Sequence, residues 1–338
     1  MEEAFRKLID AGYQVRPATI QDLPQAVPMF NAAETELVGA GNWTVERYEQ
    51  EWIQTEIDLK ASTRLVISSD GHIVGCVELW DIANPPTRPW IWGRIHPLWK
   101  GKGIGSALLE WAFITCHRAL ERLPDDVRLA PNVAAPAHHL PSIELFEGSG
   151  MSLCRYSWRM ITELDRQVPQ PQFPEGIHIR TLRFPQDLEA LYWAQDEAFQ
   201  EHWGYIQRPF EEAFPRWQNY NFEAQGLEPE LWFLAMDGDT IAGFINSQEK
   251  SDLDAAKGWI PTLAVRKPYR RRGLGQALLL HAFRALQQRG VQRVGLDVDA
   301  RNKTGATRLY QRVGMHVDQE VLHYEIELRP GRELAVVD

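Results

Sequence analysis

The chain is written twice. YQVRPATIQDL (13–23) returns as IHIRTLRFPQDL (177–188), and LVISSDGHIVGCVEL (65–79) returns as WFLAMDGDTIAGFIN (232–246). RIHPLWKGKGIGSALLEWAF (94–113) and AVRKPYRRRGLGQALLLHAF (264–283) keep a constant offset of 170. SIELFEGSGM (142–151) then matches ATRLYQRVGM (306–315) at an offset of 164, so six extra residues sit in the first copy, around ERLPDDVR (121–128). A repeat this long is no solenoid unit and restricts the chain to two similar domains in tandem. The length of 338 residues suits that number. The expected division is 1–164, a linker 165–176 and 177–338. The linker carries Pro169, Pro171 and Pro174, a spacing that favours an extended, semi-stiff segment.

Each copy reads as a strand, helices, a hairpin at Asp-Gly, a strand, a glycine-rich loop, a helix, a strand, a helix and a strand. That order predicts an α/β fold with a mixed (α+β) sheet and helices on its faces. Composition narrows the class. There are 36 Lys+Arg against 46 Asp+Glu, a formal charge of −10. Residues 1–165 hold 15 basic and 22 acidic side chains, and residues 166–338 hold 21 and 24. Net acidity argues against nucleic acid and suits a cationic small molecule or peptide. No membrane-length apolar run occurs, and the N-terminus lacks the order of a secretory signal. Cys76, Cys116 and Cys154 form neither a disulfide framework nor a zinc set. A soluble cytoplasmic protein, with no metal and an oligomeric state the residues leave open, is the expectation. The 13 tryptophans are expected to fill cores and interfaces.

The strand WIPTLAV (259–265) leads through Arg266-Lys267-Pro268-Tyr269 into Arg270-Arg271-Arg272-Gly273-Leu274-Gly275 and the helix 276–290. Ala277, Leu278, Leu280, Phe283 and Leu286 give that helix its apolar stripe. Strand, glycine loop and helix start make an anion site, because the first helical amides are unpaired and glycine lets the backbone close on a phosphate. Five basic residues between Arg266 and Arg272 add charge for a polyphosphate. A Walker A loop and the GxGxxG dinucleotide spacing are both absent.

Arg270-x-x-Gly273-x-Gly275 resembles the (Q/R)xxGx(G/A) loop of the GCN5-related N-acetyltransferases (GNAT), and Lys100-x-x-Gly103-x-Gly105 is a near match. The resemblance covers nearly the whole chain, once per copy, like the layout of double-domain members. It implies two tandem GNAT acyl-CoA N-acyltransferase folds that use acetyl-CoA. By that likeness the loop from Arg270 to Gln276 would hold the coenzyme pyrophosphate, and Leu263, Ala264 and Val265 would pair with the pantetheine arm. Asn302-xxx-Ala306-xx-Leu309-Tyr310-xxx-Gly314 is similar to the family's catalytic helix. There Asn302 joins the coenzyme site and Tyr310 would protonate the departing thiolate. Asn302 is also a reasonable helix N-cap.

The copies disagree where chemistry is expected. Phe146, His138 and Ser142 stand in the places of Tyr310, Asn302 and Ala306. The strand RLAPNVAAPA (128–137) carries no carboxylate where the second copy has Asp297 and Asp299. The first copy is therefore expected to be inactive or a scaffold, with coenzyme A binding left open to it. A base is expected, because an amine of pKa ~10.4 must lose a proton before it attacks a thioester. Strand alternation puts Asp297 and Asp299 on one face, where either could take that proton, Asp297 first. The Glu that many members place early in the strand before the loop is missing from Gly258-Trp259-Ile260-Pro261. Glu201, His202 and Trp203, with Tyr205, are a second cluster suited to a cationic amine. His202 is an alternative base. The leading expectation is an N-acetyltransferase moving acetyl from acetyl-CoA to the amine of a small molecule or peptide by direct attack. A non-catalytic acyl-CoA-binding scaffold is the alternative.

Overall fold

Each copy begins with an arginine tied to the aspartate that opens the next helical segment. Arg16 binds Asp22 through two hydrogen bonds of 2.5 and 2.7 Å, and Arg180 binds Asp187 at 2.5 and 3.0 Å. Arg16 holds the Asp22 carboxyl below its ordinary value. Burial opposes ionisation of Asp187, yet Arg183 and Arg180 still keep it well below the usual carboxylate range. The repeated Arg and Asp-Leu of the sequence are thus one ion pair made twice.

The computed structural model describes residues 3–54, 57–165, 167–223, 228–251, 254 and 256–337. Arg166 of the expected linker lies outside them. The first copy folds as α1 (Arg6–Asp10), β1 (Gln14–Arg16), α2 (Leu23–Val38), α3 (Val45–Gln54), α4 (Leu59–Ser62), β2 (Thr63–Ile67), β3 (Ile73–Trp80), β4 (Trp90–Ile95), α5 (Ile104–Cys116), β5 (Asn132–Pro136), α6 (Leu140–Gly148) and β6 (Ser152–Glu163). The second follows as β7 (Ile177–Thr181), α7 (Leu188–Phe199), α8 (Phe210–Gln218), β8 (Trp232–Asp237), β9 (Thr240–Gln248), β10 (Gly258–Val265), α9 (Leu274–Gln288), β11 (Arg293–Asp299), α10 (Ala306–Arg312) and β12 (His316–Glu325). Both Asp-Gly hairpins form, with Gly71 at φ 86° and Gly238 at φ 56°. These values lie where glycine is least hindered.

The compact units do not follow the copies. One consists of Met1–Tyr156 with Val321–Leu334, the other of Ser157–Glu320 with Ala335–Asp338. The first unit's sheet runs β1-β2-β3-β4-β5-β12 and the second's β7-β8-β9-β10-β11-β6. β12 pairs antiparallel with β5 from Val321↔Pro136 to Glu325↔Asn132. β6 pairs antiparallel with β11 from Ser157↔Asp299 to Glu163↔Arg293. Each sheet is closed by a strand from the other copy, so the contiguous division 1–164 and 177–338 is corrected. Self-similarity identifies the repeated segment, but pairing is non-local and depends on which edge a strand meets.

Named contacts hold the exchanged strand. Arg88 donates to Glu325 (2.9 Å) and Glu333 (2.8 Å), and Arg128 donates to Glu325 and Glu327, both at 2.7 Å. Val127 bridges Arg332 and Leu129 bridges Arg329. The residues around 121–128 that lengthen the first copy therefore lead into the stretch that docks the C-terminal segment. The Pro-rich stretch is anchored to the second unit. Val168 is buried, Arg284 donates to its carbonyl at 3.0 Å, and Gln287 donates to the Leu164 carbonyl at 2.7 Å.

In the second unit α9 and α10 pack on one face of the sheet with Phe233, Ile245, Ile260, Leu296 and Val298. The opposite face buries Trp232, Leu234, Phe244 and Ala264 against α7. The first unit repeats this, with α5 on one face and α2 and α3 on the other. The other pairings within each sheet are antiparallel, but β4–β5 and β10–β11 are parallel, which confirms the mixed sheet. Among the described residues no helix is long and apolar enough to cross a membrane.

Residues 1–164 expressed alone lack the strand that covers β5. We expect this fragment to aggregate or to melt without a cooperative transition in circular dichroism. Co-expression with 165–338 should restore a single soluble species on gel filtration.

Candidate active site

Two neighbouring parallel strands part company in each unit. β10 and β11 pair only at Gly258↔Val294 and Trp259↔Gly295. A register shift against β9 follows between Trp259 and Thr262. Pro261 sits in that irregularity, where its missing N–H breaks no ladder. Beyond it Leu263, Ala264 and Val265 pair with Ile245, Phe244 and Gly243 on one side. Their other edge meets no described strand, so its backbone groups stand open along the cleft, except the Val265 carbonyl, which accepts from Arg270.

The glycine loop closes one end of this cleft. Gly273, at φ 84°, is the N-cap of α9 and no side chain caps the helix. The helix starts at Leu274, two residues before the expected 276 and inside the loop motif. The amides of Leu274, Gly275 and Gln276 fall in its first turn, where no intrahelical acceptor exists. Gly275 lets α10 approach closely, since a Cβ there would lie 3.0 Å from the Leu309 side chain. The loop arginines divide. Arg270 is tied down, donating to the carbonyls of Val265 and Ala198 (3.0 Å each) and to Glu201 (2.7 Å). Arg271, at φ 60°, and Arg272 are exposed, and Arg272 lies over the Tyr269 ring at 5.8 Å.

Tyr310 lies on α10, on the α9 side of the sheet, and is 7% exposed. Burial pushes its phenol up to about 12. No hydrogen bond reaches its hydroxyl from the described residues. Asn302 is not the N-cap of α10, a place taken by Gly305. Its Oδ1 accepts from Thr304 N (2.9 Å) and Oγ1 (2.5 Å), shaping the turn before the helix, and at 3.5 Å from Ala306 N, the first amide of α10. Asp297 emerges on the opposite face and is half exposed; Arg159 of β6 binds it at 3.1 and 3.4 Å. Asp299 accepts from Arg301 N at 2.9 Å in the turn after β11.

The second cluster is a loop beside the glycine loop. Glu201 pairs with Arg270 and Lys267 (3.3 Å). His202 packs on Phe199 with ring centroids 4.3 Å apart. Burial, then Arg270, lowers its pKa, so the ring is neutral at pH 7. Trp203 is half-buried. The C-terminal tail pins this loop, Gly204 N donating to Val336 O (2.8 Å) and Val336 N to Tyr205 O (2.9 Å).

In the first unit β4 and β5 pair at Trp90↔Asn132 and then part around a cavity of about 570 Å³. It is lined by Trp92, Lys100, Gly103, Gly105, His139 and Phe146 among others. Lys100 forms an ion pair with Glu36 and a 2.8 Å hydrogen bond with His139 Nε2. Here β4 stays in register with β3, and Phe146 offers no hydroxyl. Arg94, bound to Glu34 at 2.6 and 2.8 Å, and Glu78, buried on β3, escaped sequence reasoning because neither belongs to a motif.

The comparisons with known proteins agree with this geometry. The acetyltransferase (GNAT) family matches residues 28–147 and again 188–315. The chain belongs to that family. It is an acetyl-CoA-dependent N-acetyltransferase made of two GNAT folds. It is 30% identical to a mycothiol acetyltransferase of Thermobispora bispora, over 75% of this chain and 80% of that one. A mycothiol acetyltransferase of Streptomyces coelicolor is 26% identical, over 92% and 96%. A GCN5-related N-acetyltransferase structure from Sphaerobacter thermophilus matches with a TM-score of 0.79 and 30% identity, over 95% of this chain and 98% of that one. A tandem GNAT protein from the clavulanic acid biosynthesis pathway, at 15% identity and a TM-score of 0.69 over 95% and 100%, shares the fold alone.

Both GNAT units keep the loop, and the scaffold alternative is not favoured. Two measurements test the assignments of charge. Arg270→Ala strands two carbonyls and should cost about 1–3 kcal/mol in denaturant unfolding, while Arg271→Ala and Arg272→Ala should stay within about 0.5 kcal/mol. Burial raises the Glu78 carboxyl from 4.5 to about 7, partly offset by bonds from Tyr48 and Trp52. The folded chain holds that proton more tightly, so its contribution to stability is full below about 4.5 and is lost as pH rises through about 7. Glu78→Gln should remove this slope, worth ~3 kcal/mol between pH 4.5 and 8.

Proposed function

We propose that the second unit is the transfer centre and that its acceptor is the amine of a small molecule, as the names of the mycothiol acetyltransferase relatives suggest. The observation that carries the reading is the parting of β10 and β11, with an unpaired buried phenol on one face and a carboxylate on the other. Acetyl-CoA fits these residues. The open edge of Leu263, Ala264 and Val265 suits the amides of a pantetheine arm. The first-turn amides of α9, with Arg271 and Arg272 exposed beside them, suit a pyrophosphate. Gln276 belongs to that first turn, and Asn302 joins the site by the family resemblance.

The neutral amine attacks the thioester carbonyl, a C–N bond forms and the C–S bond breaks. The amine's surplus proton passes to Asp297, directly or through water. A backbone N–H of Leu263–Val265 polarises the carbonyl. A phenol near 12 keeps its proton at working pH, so Tyr310 stands as a donor to the developing thiolate. Full transfer to a thiol of pKa ~8.5 is uphill by a few units. Tyr310 therefore stabilises the leaving sulfur by a hydrogen bond. The proton taken by Asp297 passes on to solvent, and the thiolate takes up one from solvent, so that free thiol, amide and resting carboxylate result.

In the first unit Lys100, Gly103 and Gly105 frame a cleft of the same design, but Phe146 supplies no donor. That unit holds coenzyme A without turnover in this reading.

The test is acetyl-CoA consumption against an amine panel of glucosamine, spermidine and cysteine methyl ester. Tyr310→Phe should lower kcat by about 10²–10⁴-fold with the acetyl-CoA KM within about twofold and the melting temperature unchanged, because no bond to the hydroxyl is lost. Unaltered turnover in that variant would remove Tyr310 from the reaction.

A further inference from the structure

β9 carries a buried carboxamide with nothing to hold. Asn246 is 2% exposed, and its Oδ1 has no hydrogen-bond partner among the described residues. Buried acceptors are normally paired, and among the described residues Asn246 Oδ1 is the one unpaired buried side-chain acceptor, beside three unpaired donors, Trp43 Nε1, Arg88 Nε and Trp111 Nε1. Register places Asn246 between Trp232 of β8 and Thr262 of β10, and directly opposed residues share a face. Phe244 and Ala264, two residues away on each strand, pack on the α7 side. Asn246 therefore lies on the face opposite α9. Its neighbour Thr262 is the first residue of β10 beyond the register shift, where β10 has left β11.

The first unit shows the same position filled. Gly75 pairs with Ile95 and Gly243 with Val265, so Glu78 and Asn246, each three residues further on, are equivalent. Glu78 accepts from Tyr48 at 2.9 Å and Trp52 at 3.1 Å, both from α3. In the second unit α8 brings Phe214, which has no hydroxyl, and Trp217, whose Nε1 donates to Gln195 at 3.1 Å. The described residues supply donors to the first position and none to the second.

We propose that Asn246 Oδ1 accepts an N–H of the acceptor amine and so selects and orients its free-base form. This rests on the second unit being the transfer centre. A carboxylate at this place would favour the ammonium ion, whose nitrogen has no lone pair to attack with. A carboxamide receives an N–H without favouring that charge.

Asn246→Leu keeps the volume and removes the acceptor. The melting temperature should hold or rise, because no intramolecular bond is lost. With glucosamine, spermidine and cysteine methyl ester as probes, kcat/KM for the best amine should fall about 10-fold or more, while the acetyl-CoA KM stays within about twofold. Asn246→Asp should move the rise of amine kcat/KM with pH to higher pH by about one unit. A melting temperature lowered by more than about 5 °C marks a structural role and overturns the inference, as does an unchanged amine kcat/KM in Asn246→Leu. Loss of turnover in Tyr310→Phe beside full activity in Asn246→Leu rejects this inference alone. Full activity in both rejects the transfer centre as well. If none of the three amines is acetylated, the thermal result decides by the same criterion.

Discussion

Parallel pairing that stops after one or two residue pairs is the constraint on which the rest depends. A strand cannot leave its neighbour inside a protein without exposing N–H and C=O groups that need partners. In both units the parting occurs where β4 meets β5 or β10 meets β11, and the glycine loop and its helix stand at the open end. The helix packing keeps the gap from closing. Gly105 and Gly275 let α5 and α9 lie against α6 and α10, with Leu145 and Leu309 within 3.0 Å of a notional Cβ. An open strand edge and an uncapped helix start are unfavourable for a chain alone and become favourable with a ligand rich in amides and phosphates.

Charge is distributed to serve that opening. Arg270 looks like a phosphate ligand by position, yet its guanidinium is spent on two carbonyls and Glu201. It braces the loop and leaves Arg271 and Arg272 in solvent. Lys100 is comparably engaged by Glu36 and His139. The residue that opens the loop motif is, in both units, a strut that ties the loop to neighbouring segments.

Much of the fold was legible before any coordinates. The Asp-Gly hairpins, the loop-to-helix junctions and the mixed sheet follow from turn chemistry and periodicity, which are local. Tyr310 stood out because its helix resembles the family's catalytic helix, and the repeat shows Phe146 in its place. Strand exchange was not legible, since β6 and β12 read alike and nothing local says which edge each will meet. Asn246 was invisible for a related reason. A buried polar residue is recognised by the absence of partners, and partners come from α7 and α8, far away in the chain. Asn302 was read as a cap from its type alone, whereas Gly305, through its positive φ, takes the cap position and Asn302 mainly shapes the turn, with a long 3.5 Å bond from Ala306 N.

The exchange of strands sets an order of assembly. A chain emerging from its N-terminus has made β1 to β5 long before β12, yet the first sheet is not complete until residue 325 is available. The second sheet has β6 waiting from the start and needs only β11, ending at Asp299, to close. The half synthesised first is finished last. During that interval the outer edge of β5 lacks its strand, which makes early association with other chains the characteristic hazard of this architecture.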